Sequence, residues 1–234
     1  KCLLCDNPAC QCGRSRKHSI EELRKKIYGI IWEEQLQRGV AAEISQALME
    51  EVYTTPKPGL VDREDTGAHT DMNCQTFQKS TEAIAEDLAA MFEAGYSWEA
   101  DPKTLFPLLR ERGKKTEEKM FVATGGVNTH KGIIFTIGIL AAAAGISLRN
   151  YGKIESEDVC RISLEMTKKE LEQDLRKLKQ SSGITHGEKI YCHLGEKGVR
   201  GLAMSGYPIL CERTVPHMKQ YIACLLYTSP SPRD

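Results

Sequence analysis

Residues 132 to 146 carry no charged side chain, and they follow directly on Thr124-Gly125-Gly126-Val127-Asn128-Thr129-His130-Lys131. At 15 residues, this is the longest apolar run, shorter than the roughly 20 residues of a membrane span, and it reads as a buried core helix. A chain built around such a helix must surround it with apolar faces of its neighbours. The turn before it places Asn128, Thr129, His130 and Lys131 in succession behind two glycines. Unpaired backbone N–H groups and the helix dipole at such a start suit an anion, Lys131 adds positive charge, and His130 can exchange a proton near neutral pH. The alternative is an ordinary helix start, with Asn128 or Thr129 as N-cap and the glycines as a loop.

Two further polar clusters stand out. In Thr54-Thr55-Pro56-Lys57-Pro58-Gly59-Leu60-Val61-Asp62-Arg63 the prolines hold Lys57 in a stiff extended segment, and Gly59 permits a turn. With His69 and Asp71 downstream, this loop can hold charges at set distances. The third cluster is Thr185-His186-Gly187-Glu188-Lys189, followed by Gly195, Gly198, Arg200 and Gly201. Each alone is compatible with a polar surface loop. Three loops between helices, each carrying His, Lys and Gly, point together to a site.

Between these loops the apolar spacing is helical. Ser19-Ile20-Glu21-Glu22 has the pattern of a capping box, with Leu23, Ile27, Ile30 and Ile31 following at helical intervals. Gln35 to Gly39 reads as a junction, and Val40 to Tyr53 as the next helix. Phe77, Ile84, Leu88, Met91 and Phe92 mark another. A helix from Pro102 carries Leu105, Leu108 and Leu109, with a break expected at Gly113. Val159, Ile162, Met166, Leu171, Leu175 and Leu178 form the inward stripe of a long charged helix that starts near Ser156. No run alternates with strand period. The expected fold class is all-α, a multi-helix domain with long functional loops.

Thirty-two basic and 32 acidic residues cancel, so no global field draws nucleic acid or a membrane surface, and any anion site must be local. Of nine cysteines, Cys2, Cys5, Cys10 and Cys12 crowd the start. Cys2 and Cys5 have the spacing of half a zinc knuckle, and Cys10 with Cys12 could close a four-thiolate site. Cys-x-Cys is poor zinc geometry, however, and the usual long spacer is missing. The alternative is reduced, packed thiols flanking the basic run Arg14-Ser15-Arg16-Lys17-His18, which could itself meet a phosphate. Cys74, Cys160, Cys192 and Cys211 read as small core residues.

The sequences Thr-Pro-Lys-Pro-Gly-Leu-Val-Asp, Thr-Gly-Gly-Val-Asn-Thr-His-Lys-Gly and Thr-His-Gly-Glu-Lys resemble those of the triphosphoribosyl-dephospho-CoA synthase family, from about Val40 to Ala223. Cys2-Leu3-Leu4-Cys5-Asp6-Asn7-Pro8-Ala9, with Cys12 and the basic run, resembles the end of the transferase that attaches the citrate lyase prosthetic group. The resemblance implies a fused, bifunctional protein: residues 1–27 a transferase remnant, 28–39 a junction, 40–223 the synthase domain. Residues 224–234 read as a non-native adapter-derived tail, with the family's further helical region and its acidic, Asn-containing motif expected beyond Ala223. Leu202 stands where the family pattern leads one to expect an acidic residue.

The reaction implied is the attack of the ribose 2′-hydroxyl of 3′-dephospho-CoA on C1′ of ATP, with adenine as leaving group. Charge of the oxocarbenium type then builds on the ribose. Residue chemistry suggests Lys57, Arg63, Asn128, Thr129, Lys131, His186 and Lys189 as substrate-binding groups. Asp62 is a candidate general base or metal ligand, His130 the alternative base or the donor to adenine, and Asp71 a second metal ligand. Mg²⁺ is the expected cofactor. Expected partners are ATP, 3′-dephospho-CoA and the citrate lyase acyl carrier subunit, in the cytoplasm. The rival readings are the same chemistry serving malonate decarboxylase, or a non-catalytic helical module stapled by zinc at its first cysteines.

Overall fold

The computed structural model describes residues 1–178 and 186–228. Their order is α1 (Ala9–Ser15), α2 (Ile20–Tyr53), α3 (Cys74–Tyr96), a 3₁₀ turn (Pro102–Thr104), α4 (Phe106–Thr124), α5 (Lys131–Tyr151), α6 (Ser156–Leu178), α7 (His186–Leu194), α8 (Gly198–Met204), a π turn (Leu210–Thr214) and α9 (Val215–Thr228). There is no strand among the described residues, and the all-α expectation holds.

Helix α5 is apolar nearly all round, and its position follows: it lies at the centre, against α3, α4 and α6. By length and composition its 21 residues could cross a membrane, but Ile134, Ile139, Ala142, Ala143 and Ile146 are buried within the bundle. Helix α3 is set by a capping box between Asn73 and Thr76 and presents Ile84, Leu88, Met91 and Phe92 inward. The two helices touch through backbone. A Cβ on Gly95 would overlap the Ala142 carbonyl, and one on Gly145 would overlap the carbonyl of Phe92. Glycine is required at both places for closeness of approach, since neither has a positive φ.

The capping box at Ser19 and Glu22 is present, with the Glu22 N–H donating to Ser19 Oγ at 3.1 Å and the Ser19 N–H to Glu22 Oε2 at 2.8 Å. The junction read at Gln35 to Gly39 is helical. Helix α2 runs through it, because a lone glycine weakens a helix by about 1 kcal/mol without ending it. Gly113 is likewise inside α4. Helix α6 buries Val159, Ile162, Met166, Leu171 and Leu175, while Leu178 is only half-buried. Cys160 and Cys211, expected as separate core thiols, form a disulfide between α6 and the π turn. Cys192 is exposed.

Helix α4 ends where Gly125 and Gly126 adopt positive φ, and the Gly126 N–H closes the helix on the Phe121 carbonyl at 2.8 Å. This six-to-one bond is the Schellman type of stop. The glycines therefore serve two purposes: they terminate α4 and swing the chain into α5.

Candidate active site

The loop between α2 and α3 folds around one carboxylate. Asp62 is buried, and it accepts backbone N–H groups from Lys57 at Oδ2 (3.0 Å) and from Glu64 and Asp65 at Oδ1 (2.8 and 3.1 Å). Those donors, Lys57 first, hold its pKa below the usual carboxylate value. The Cys74 thiol donates to the Asp62 carbonyl at 2.9 Å, tying the loop to the start of α3. Lys57 folds back on the end of α2, with Nζ 2.7 Å from the Glu51 carbonyl and 3.0 Å from Glu51 Oε1. Arg63 stacks over the Tyr53 ring at 4.6 Å. His69 and Asp71 form an ion-pair contact at 3.7 Å near the surface.

His130 sits at the N-cap of α5 and is almost wholly buried. Its Nδ1 lies 2.6 Å from Ser80 Oγ, and Thr129 Oγ1 donates to that same oxygen at 2.7 Å. Ser80 Oγ thus joins Thr129 to the imidazole and ties the start of α5 to α3. Phe77 meets the ring edge-on at 5.1 Å, and the His130 N–H contacts Met120 Sδ at 3.2 Å. Burial drives the imidazole pKa from 6.5 down to about 4, against a smaller upward pull from the Glu51 carboxylate. Glu51 thus links the two loops, pairing with Lys57 and acting on His130. The cap proper is neither Thr129 nor an Asn128 N-cap: Asn128 lies two residues ahead and accepts the Lys131 N–H at 3.3 Å.

Lys131 leads away from His130 into a cleft of about 490 Å³. Its floor is apolar, from Met91, Phe106, Ile134, Ile139 and Leu171. Its rim carries Arg110, Lys114, Lys131, Lys177 and Arg200, against Glu117, Asp174 and Glu188. Three cations rest on acids: Lys131 on Glu117 at 3.0 Å, Arg110 on Asp174 at 2.6 Å and Arg200 on Glu188 at 3.1 Å. Lys114 and Lys177 add two more positive charges. The surplus of cations over acids in a partly dry cleft favours a polyanion.

Among the expected residues, Asn128, Thr129, His130 and Lys131 come together at the α5 start, and Lys57 approaches through Glu51. Asp62 lies in the loop beside them. Arg63 faces Tyr53, and Asp71 faces His69. Lys189 is exposed on α7, whose neighbour Glu188 reaches the cleft. The side chain of His186 and the whole of Thr185 lie outside the described residues. Glu117, Arg110, Lys114, Asp174 and Lys177 were not among the expected groups. Arg110, Lys114 and Glu117 recur at helical spacing on one face of α4, a signal that was available in the sequence.

Fold and cleft together define a helical protein with a pre-formed, basic, apolar-floored site of nucleotide dimensions. The sequence matches the family described as ATP:dephospho-CoA triphosphoribosyl transferase over residues 37–230, and the chain belongs to that family of transferases. Residues 1–34 match a second family, described as apo-citrate lyase phosphoribosyl-dephospho-CoA transferase. Among curated relatives, proteins from Streptococcus pyogenes serotypes M3, M1 and M49 are each 38% identical over 201 residues. The alignment covers 80% of this chain and 68% of each relative, and each is described as a probable 2-(5''-triphosphoribosyl)-3'-dephosphocoenzyme-A synthase. No solved structure matches the chain.

Proposed function

We propose that the chain transfers the triphosphoribosyl group of ATP to the 2′-hydroxyl of 3′-dephospho-CoA, releasing adenine, and that the product serves citrate lyase. The observation that carries this reading is the basic cleft opening at Lys131, one residue from the buried His130. In the reaction the C1′–N9 bond of ATP breaks and a C1′–O2′ bond forms. The hydroxyl proton is taken up by a carboxylate, and adenine gains a proton from solvent.

Lys131, with Lys114 and Lys177, receives the triphosphate, and the positive end of the α5 dipole adds to their field. As the triphosphate enters, it competes with Glu117 for Lys131, which frees that carboxylate for the 2′-hydroxyl proton. Glu117 suits this role better than Asp62, whose oxygens are engaged by three backbone N–H groups. Asp62 instead shapes the Lys57 loop. His130, neutral at physiological pH and buried behind the first turn of α5, holds that turn against α3 through Ser80.

Asp62 and Asp71 are engaged in separate contacts. Mg²⁺ enters in this reading as part of the substrate MgATP, with the phosphates as its main ligands. ATP and a coenzyme A precursor place the reaction in the cytoplasm. The match of residues 1–34 to an apo-citrate lyase transferase family supports citrate lyase over malonate decarboxylase as destination.

The test compares Lys131→Ala and Glu117→Gln under saturating and limiting ATP. Loss of one phosphate-binding cation should raise the KM for ATP by about tenfold or more, a change of about 1.4 kcal/mol or more. Loss of the acceptor should lower kcat by about 10²-fold or more with a smaller change in KM. Near-normal kinetics in both variants would remove the cleft from the reaction.

A further inference from the structure

We propose that Cys2, Cys5, Cys12 and His18 form a structural zinc site, with three thiolates and His18 Nε2 as its four ligands. Their ligand atoms all lie within 4.8 Å of one another. Cys5 Sγ is 3.5 Å from Cys12 Sγ and 3.2 Å from His18 Nε2. A tetrahedron with zinc–sulfur bonds of about 2.3 Å and a zinc–nitrogen bond of about 2.0 Å has edges of roughly 3.5–3.8 Å. The two Cys5 separations match these edges to within about 0.3 Å, and with none above 4.8 Å, closing on an ion draws the ligand atoms together by about 1 Å at most.

The backbone explains how residues this close in sequence converge. The Cys2 N–H donates to the Asn7 carbonyl at 2.8 Å, closing a knuckle, and the Leu4 N–H donates to Cys2 Sγ at 3.5 Å. Helix α1 then carries Cys12 to the inside, where it is 6% exposed although nearly all its neighbours face solvent. Arg16 adopts the left-handed conformation at φ 49°, and the Lys17 N–H returns to the Cys12 carbonyl at 3.2 Å. That reversal brings His18 over Cys5. Cys10 is exposed, two residues from Cys12 on a helix and therefore on the other side. Cys10, which spacing alone pairs with Cys12, stands outside the cluster, and His18 beyond the helix takes its place.

Three thiolates and one imidazole around Zn²⁺ leave one net negative charge, set among Arg14, Arg16 and Lys17, with Lys17 Nζ 4.0 Å from Cys5 Sγ. A segment of 18 residues has no core of its own, and a metal is a common substitute for one. A closed four-ligand set with no open position is structural rather than catalytic.

The test is metal content of the full chain, purified without a polyhistidine tag, by elemental mass spectrometry, then the visible spectrum after exchange with Co²⁺. One zinc per chain is expected, with cobalt bands of tetrahedral type and thiolate-to-metal charge transfer. Cys12→Ser and His18→Ala should lose the ion, Cys10→Ser should keep it, and His18→Cys should keep it with a stronger charge-transfer band. Circular dichroism on each variant separates loss of metal from loss of the helical bundle. The proposal is overturned by a metal-free protein, including one whose Cys5 and Cys12 are joined as a disulfide. It is overturned equally by zinc that survives Cys12→Ser or departs with Cys10→Ser. None of these readings depends on turnover.

Discussion

The His130 ring cannot take a proton without bringing a charge into the interface of α3, α4 and α5. Its pKa lies near 4 in the folded chain against about 6.5 when solvated. Between those values the unfolded chain binds a proton that the folded chain does not, so stability rises with pH across this window. The contribution is complete above about pH 6.5 and is lost as pH falls toward 4, by about 3 kcal/mol in all. Urea unfolding of the chain and of His130→Asn between pH 4 and 7 should show a shallower pH slope in the variant. Equal slopes would mean that the ring is solvated.

Asp62 makes a second prediction at the same scale. Asp62→Asn exchanges one acceptor oxygen for an NH₂ facing backbone donors. Amides of Lys57, Glu64 and Asp65 should then exchange with solvent at least tenfold faster, while α5 is unaffected. Asn128 to Lys131 were legible as a polar turn ahead of a core helix, because two glycines precede them and an apolar run follows. The sequence could not show that Asp62 faces inward to its own loop, since that depends on which backbone N–H groups converge. Glu117 was marked only by its helical spacing from Arg110 and Lys114, and its pairing with Lys131, on the next helix, was not legible.

At the level of helices, the contact between α3 and α5 is the tightest constraint. Gly145→Ala must push α5 off the Phe92 carbonyl, at a cost of about 2 kcal/mol or more. Thermal unfolding should fall by roughly 4–8 °C. Gly39→Ala is the contrasting case: nothing lies near the new Cβ in the middle of α2, so the change should stabilise by about 0.5–1 kcal/mol. Opposite signs in calorimetry are expected, and a neutral Gly145→Ala would contradict the close crossing. Helix identity was readable from apolar spacing in α3, α5 and α6. The continuity of α2 through Gly39 and of α4 through Gly113 was not, because a glycine inside a helix and a glycine that ends one look alike until the residue's φ is known. Gly125 stops α4 at φ 68°, whereas Gly113 lies within it.

Across the whole molecule, the apolar α5 holds the bundle, the glycine turn aims its first residues, and α4 and α6 supply the charges of the cleft. Residues 1–18 form a separate knot of thiols and histidine ahead of α2. The pairing of Cys160 with Cys211 was not legible, since 51 residues separate them and α6 with the π turn brings them together. The central claim is that this bundle uses ATP as a triphosphoribosyl donor. Chromatography of a reaction containing the chain, MgATP and 3′-dephospho-CoA tests it most directly. Adenine should appear in step with a 3′-dephospho-CoA adduct heavier by one triphosphoribosyl group, and neither should form when either substrate is omitted. Release of ADP or phosphate without adenine would contradict the account.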